Sequence, residues 1–198
     1  MAFDAMTAFF VFALVAAVTP GPSNVMVLAA GARAGLVGGL PCLAGVVAGM
    51  ALLIGAAALG LGGVITALPA AMVALRWGGA ALLLWLAWQI ARAPPMRDGP
   101  RAEPVGFWRA LAFQWVNPKS WIVAASAAAT YGSAASDAPI ARALWMGGLF
   151  AVAAAPSCLL WLAFGSALQR ALTDPRRARV FNAVMGLLLA ASVVFVVA

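Results

Sequence analysis

Lys119 stands inside an apolar run that begins at Phe107, 12 residues upstream. A regular helix would carry it about 18 Å from that start. That is near the middle of a hydrocarbon core about 30 Å thick. An ammonium at that depth is expensive unless it is paired or wet, and it marks a functional site by default. The acids of the chain are Asp4, Asp98, Glu103, Asp137 and Asp174, and all fall at ends or in loops. Lys119 therefore meets a ligand anion, is solvated by freed backbone carbonyls, or is held neutral by burial. The structural alternative is a side chain that snorkels or only caps carbonyls.

Two breaks in apolar runs supply such carbonyls. Pro20-Gly21-Pro22 removes two backbone donors from the first run, and the carbonyls they would have served lose their helical partners. Asn117-Pro118 removes one donor immediately before Lys119. Irregular backbone at membrane depth is tolerated only against protein or a wet cavity. Ser23 and Asn24 stand where a half-helix would restart, and either is a suitable cap. A half-helix start at that depth is a ready site for a carboxylate. Asn24, Gln114 and Asn117 would add hydrogen bonds, and Gln114, Ser120 and Ser126 are the polar positions expected to face a cavity. The bland alternative is a pair of kinks with no ligand.

Cys42 follows Pro41, and Cys158 follows Pro156-Ser157. A thiol pair in two equivalent helices could carry electrons by disulfide exchange. Buried cysteine more commonly serves as a small hydrophobe. No metal-ligand spacing or cofactor motif accompanies the pair, so the expectation is no metal and no cofactor.

The elements that hold these residues follow from composition. Of 198 residues, 66% are hydrophobic and 9% charged, with no histidine. A soluble domain carries about 25% charged residues, so much of this chain's apolar surface must lie in lipid. That excludes a soluble enzyme. The net charge of +7 does not indicate nucleic acid, because the basic residues lie between apolar runs instead of forming a stripe. The start is not a secretory signal: it has no basic region and its apolar run is too long.

Six runs read as spanning helices: residues 3–30, 36–61, 70–91, 107–131, 140–168 and 180–197, the first and fourth broken. Gly62, Gly63 and Pro69 mark a turn, and residues 92–106 read as a solvated loop. The chain is expected to be one all-α integral membrane domain, 1–198. It divides into a repeat of about 1–91, the loop, and a second repeat of about 107–198. Three helices followed by three give halves of opposite orientation. Each half opens with a broken span, and each second helix carries Gly-Gly-Leu and a proline. That is the weak internal symmetry of an inverted-repeat transporter.

Nine of the 12 basic residues fall in the loops after spans one, three and five. The positive-inside rule puts those loops in the cytoplasm and both termini outside. Trp77 and Trp145 then suit the outer interface, and Trp88 and Trp108 the inner one. Gly45 and Gly49, with Gly31, Gly35 and Gly39, have GxxxG spacing that lets helix backbones approach closely. The same spacing leaves room for a homo-oligomer.

At this point the residues resemble a family. Pro20-Gly21-Pro22, the glycine-rich stretch 31–49 and Asn117-Pro118-Lys119 are similar to the LysE/RhtB family of bacterial amino-acid exporters, over essentially the whole chain. Trp77-Gly78-Gly79-Ala80-Ala81, Trp85-Leu86-Ala87-Trp88, Phe107-Trp108 and Phe113-Gln114-Trp115-Val116-Asn117 look most like its cysteine/O-acetylserine branch. The resemblance implies six spans in the inner membrane, an amino-acid substrate exported at the expense of the proton motive force, and no enzymatic activity. Many members place an aspartate after the glycine of helix two, where this chain has Met50 after Gly49. The proton route those members would use is missing here.

Overall fold

The computed structural model describes residues 3–61, 67–92, 105–135, 138–169, 172 and 174–194. The expected turn at Gly62 and Gly63, most of the loop 92–106, Asp137, Arg170 and residues 195–197 lie outside them. Seven helices account for the described residues, with no strand among them. They are α1 (Phe3–Val18), α2 (Pro22–Ala56), α3 (Pro69–Ala91), α4 (Phe107–Val116), α5 (Pro118–Ala135), α6 (Pro139–Leu168) and α7 (Pro175–Ser192).

Proline sets most of the starts. Helices α2, α3, α5, α6 and α7 each begin on one. A first-turn N–H has no helical partner to lose, and the ring pre-sets a helical φ. Thus Pro22 and Pro118 end one helix and begin the next within a single apolar run. At α7 the start is reinforced by Asp174, whose carboxylate accepts from the amides of Arg176 (2.7 Å) and Arg177 (3.3 Å).

α2 is not one rod. Gly35 has φ 73°, a conformation that strains any residue with a Cβ. There the chain reverses: a side chain at Gly39 would touch the backbone of Ala30 and Gly31. Helix α2 is therefore two limbs, residues 22–34 and 36–56, folded against each other. The second limb ends in a π-turn, Ala57–Leu61. Arg142 of α6 donates from Nε to the Ala58 carbonyl there (3.1 Å).

Helix α6 is the central post, packing along both limbs of α2 and against α1. Small residues permit this. A Cβ on Gly31 would strike the Leu162 carbonyl and the Ser166 amide, and one on Gly165 the Leu28 carbonyl and the Ala32 amide. Helix α4 packs on the second limb of α2 the same way, the Phe107 backbone against Gly45 and that of Leu111 against Gly49. The GxxxG glycines are thus spent within the chain.

One apolar cluster joins α1, α2, α5 and α6 through Phe9, Leu53, Ile54, Trp121, Met146 and Phe150. Another joins α2, α4 and α6 through Val27, Cys42, Val46, Ala110, Cys158 and Leu162. α3 and α7 pair through Leu83, Ala87 and Leu189, and Met185 of α7 packs with Val25 and Leu28 of α2. The outside is apolar too: Val37 is 78% exposed, Trp108 77% and Leu144 73%. That is a surface lipid would solvate. By length and composition, Pro22–Leu61 and Pro139–Leu168 can each cross a bilayer. Trp77, Trp88 and Trp108 are exposed, as interface anchors require. Trp145 departs from that expectation: it is half-buried, its ring 5.5 Å from that of Phe9.

Candidate functional site

The two breaks lie side by side where the two larger clusters meet. At the first, α1 ends and leaves the carbonyls of Ala17, Thr19 and Pro20 outside any helix ladder. Asn24 reaches back and donates from Nδ2 to Ala17 O and Thr19 O, both at 3.0 Å. Lys119 comes from the other break and donates from Nζ to Thr19 O (2.6 Å) and Pro20 O (3.4 Å). Of the roles open to Lys119, the structure displays solvation by freed carbonyls. Gly21 makes room for it, since a Cβ there would fall 2.9 Å from the lysine Cδ.

At the second break Asn117 caps its own half-helix. Its Oδ1 accepts from the Lys119 amide (3.2 Å), and its carbonyl accepts from the Ser120 amide (3.0 Å). Trp121 donates from Nε1 to the Trp115 carbonyl left by α4 (2.7 Å). The first break has no such cap. The residue before α2 is Gly21, and no side chain bonds to that helix start. Neither Ser23 nor Asn24 caps it, contrary to expectation. Both lie inside the first turn, and their side chains point to other partners.

A polar chain ties the breaks together. Ser23 Oγ donates to Gln114 Oε1 (2.8 Å), Ser120 Oγ donates to the same oxygen (3.0 Å), and Asn117 Nδ2 donates to Ser23 Oγ (3.1 Å). Gln114 Nε2 is held by the Ala110 carbonyl (3.0 Å). Satisfied buried networks of this kind fix one arrangement of their members.

Beside this chain lies a cavity of about 40 Å³, room for a few waters. Gly21, Ser23, Asn24, Asn117, Lys119 and Ser120 form its polar side, and Met50, Val123, Phe150, Ala154 and Cys158 are among its apolar lining. Lys119 is the one charged group lining it among the described residues. Pro20 reaches the site through its carbonyl. Pro22, Pro118 and Gln114 do not line the cavity. Pro22 faces a second one, Pro118 packs against Gly79, and Gln114 is fully buried behind Ser23 and Ser120. Ser126 is exposed and away from the site. The Thr19 carbonyl and the apolar wall were not legible as site members. The first was implicit in the proline break, whereas the second carries no local signal.

Cys42 and Cys158 are both free and buried in one apolar cluster, with Cys158 at the cavity wall. They behave as small hydrophobes in that packing, and nothing here supports the thiol–disulfide alternative.

The curated relatives include the cysteine/O-acetylserine efflux proteins of Escherichia coli O139:H28 (strain E24377A / ETEC), Escherichia coli (strain K12) and Shigella sonnei (strain Ss046). Each is 35% identical over 127 residues, which is 64% of this chain and 65% of the relative. This chain thus spans just under two thirds of those relatives in the match. No solved structure matches. The family described as LysE type translocator matches residues 14–198, which takes in both breaks, the cavity and every helix from α2 onward. The chain belongs to the LysE type translocator family.

Proposed function

We propose that this chain exports small neutral amino acids, cysteine and O-acetylserine first among them, across the bacterial inner membrane, and that it is a transporter and not an enzyme. The observation that carries the reading is the meeting of both helix breaks at one cavity whose one charged lining group, among the described residues, is Lys119. The relatives named for cysteine/O-acetylserine efflux support the substrate class.

The geometry suggests how a zwitterion would fit. Lys119 Nζ, seated on the Thr19 and Pro20 carbonyls, marks a place built for an ammonium. When Lys119 turns to the substrate carboxylate, those carbonyls are released to accept the substrate's own ammonium. The carboxylate then lies between Lys119 and the uncapped start of α2, where free amides and the helix dipole favour an anion. Ser23 and Asn117 hold the two breaks in register. The substrate side chain faces Met50, Phe150, Ala154 and Cys158. With no acid lining that wall among the described residues, it takes a small uncharged group and rejects a cationic one.

In this reading the helices make six spans: α1 with the first limb of α2, the second limb, α3, α4 with α5, α6, and α7. Spans one and four are the broken ones, and the two halves, about 1–91 and 107–198, are inverted repeats. Reciprocal packing supports the symmetry, since α1 lies on α6 as α4 lies on α2. Rocking of the halves about the cavity gives alternating access and opens a space now only large enough for water. Both termini lie outside. The test is efflux of a panel of labelled amino acids from cells overproducing the protein. Cysteine and O-acetylserine should leave faster than from control cells, and lysine should not. Faster lysine efflux with no change for the neutral pair would overturn the substrate class.

A further inference from the structure

A second cavity is larger than the polar one. It holds about 260 Å³ between the first limb of α2, α3, α4 and α7. Pro22, Met26, Ala29, Ala30 and Arg33 of α2 line it. Their spacing of four, three, one and three residues is a single stripe along one helix face. The cavity therefore follows this limb for its whole length, about 16 Å, from the uncapped start to the turn at Gly35. At the far end are Arg33, half-buried, and Gln89, exposed. The Arg33 guanidinium has no hydrogen-bond or ion-pair partner among the described residues. At the near end Pro22 lines this space, flanked in sequence by Gly21 and Ser23 of the polar site.

We propose that this cavity is a second amino-acid site, a vestibule on the cytoplasmic side in which Arg33 takes the substrate carboxylate before it passes Pro22 and Phe113. The inference rests on the export reading above. A guanidinium presents a planar fork that matches a carboxylate. Gln89 offers a neutral amide beside it, and Met26, Ile90 and Phe113 give an apolar wall to a small side chain. The dipole of the limb then favours movement of the anion from Arg33 toward the helix start. An acidic phospholipid headgroup has the same chemistry, but the place of Pro22 between Gly21 and Ser23 of the polar site favours the substrate.

The test uses the full chain in vesicles of fixed orientation, with labelled O-acetyl-L-serine presented to one face at a time. Arg33→Gln should raise KM about tenfold from the cytoplasmic face, the scale of one lost charge-assisted hydrogen bond. KM from the other face should stay within about twofold. Arg33→Lys should fall between. Ala29→Phe, which fills the cavity and leaves the arginine and its topological charge in place, should reproduce the one-sided defect. It decides the matter should Arg33→Gln insert poorly. Lys119→Met should impair both faces. Normal cytoplasmic KM in Arg33→Gln and Ala29→Phe, with Lys119→Met impaired, would overturn the vestibule and spare the export site. Normal kinetics in all of them would overturn both. A defect in Arg33→Gln that vanishes in vesicles free of anionic lipid would assign the arginine to a headgroup instead.

Discussion

Lys119 and Asn24 show how single side chains make a broken helix tolerable. Between them they occupy the Ala17, Thr19 and Pro20 carbonyls, which would otherwise be orphaned at cost in lipid. Asn24 gives both amide hydrogens to this task and braces the break. Lys119 is different, because an ammonium on carbonyls can be drawn to a carboxylate. Lys119→Met keeps most of the stem and removes the charge. It should insert normally and bind substrate ten- to a hundredfold more weakly, about the 1.5–3 kcal/mol of a charged hydrogen bond. Lys119→Arg should be partly active if charge is what matters, and as inactive as Met if the lysine must give up a proton. Binding and efflux at matched abundance separate these outcomes, and unchanged efflux by Lys119→Met would leave it a structural cap. Asp174 poses a pH question outside the membrane. The Arg176 and Arg177 amides hold its carboxyl below the ordinary carboxylate range. A depressed carboxyl stabilises above its unfolded pKa, and that contribution is lost as pH falls through the folded one. Amide exchange at the start of α7, corrected for intrinsic rates, should therefore be protected at pH 7 and lose protection as pH falls below the ordinary carboxylate range. Asp174→Asn should abolish that pH dependence.

Among the elements, prolines and glycines have opposite duties. Pro20 and Pro22 keep α1 and α2 apart at the site. Pro20→Ala with Pro22→Ala should let the ladder run through, giving a protein that inserts at least as well and exports at least tenfold more slowly. Full export by the double variant would reduce the motif to a kink. Glycines instead set how closely the helices approach. Gly165→Ala would drive a Cβ into the Leu28 carbonyl, while Gly148→Ala would meet nothing within 4 Å. The first should destabilise by about 1–3 kcal/mol. The second should be neutral or stabilise by up to about 1 kcal/mol, through the lost freedom of glycine. Thermal unfolding in detergent compares the two, and equal effects would mean that α2 and α6 do not touch as described.

For the molecule as a whole, the distribution of basic residues predicts an orientation. Reporter fusions that work only outside the inner membrane should be active at Ala198 and near Asp137, and silent near Gly99 and Asp174. An active fusion at Gly99 would reverse the molecule, and with it the cytoplasmic placement of the Arg33 cavity. The pair α3 and α7 has its own small apolar cluster, and Met185 joins it to Val25 and Leu28 of the first limb of α2. The large cavity opens where this pair meets the first limb of α2 and α4.

The sequence by itself determined the solvent of this protein, its helices and the location of its two breaks, because those depend on local chemistry. Apolar runs demand lipid, a proline removes a donor wherever it stands, and a buried lysine without an acid needs carbonyls or a ligand. Even the reversal at Gly35 falls in the gap expected between the first two runs. Tertiary structure decided which groups meet. That Lys119 of one break reaches the carbonyls of the other, 100 residues away in the chain, cannot be read from either motif. Nor can the full burial of Gln114, the exposure of Ser126, the use of Asn24 as a brace, or the capping of only one half-helix by its own side chain. These follow from how closely α2, α4 and α6 approach over their glycines. That approach is a matter of shape between distant segments, and local composition does not record it.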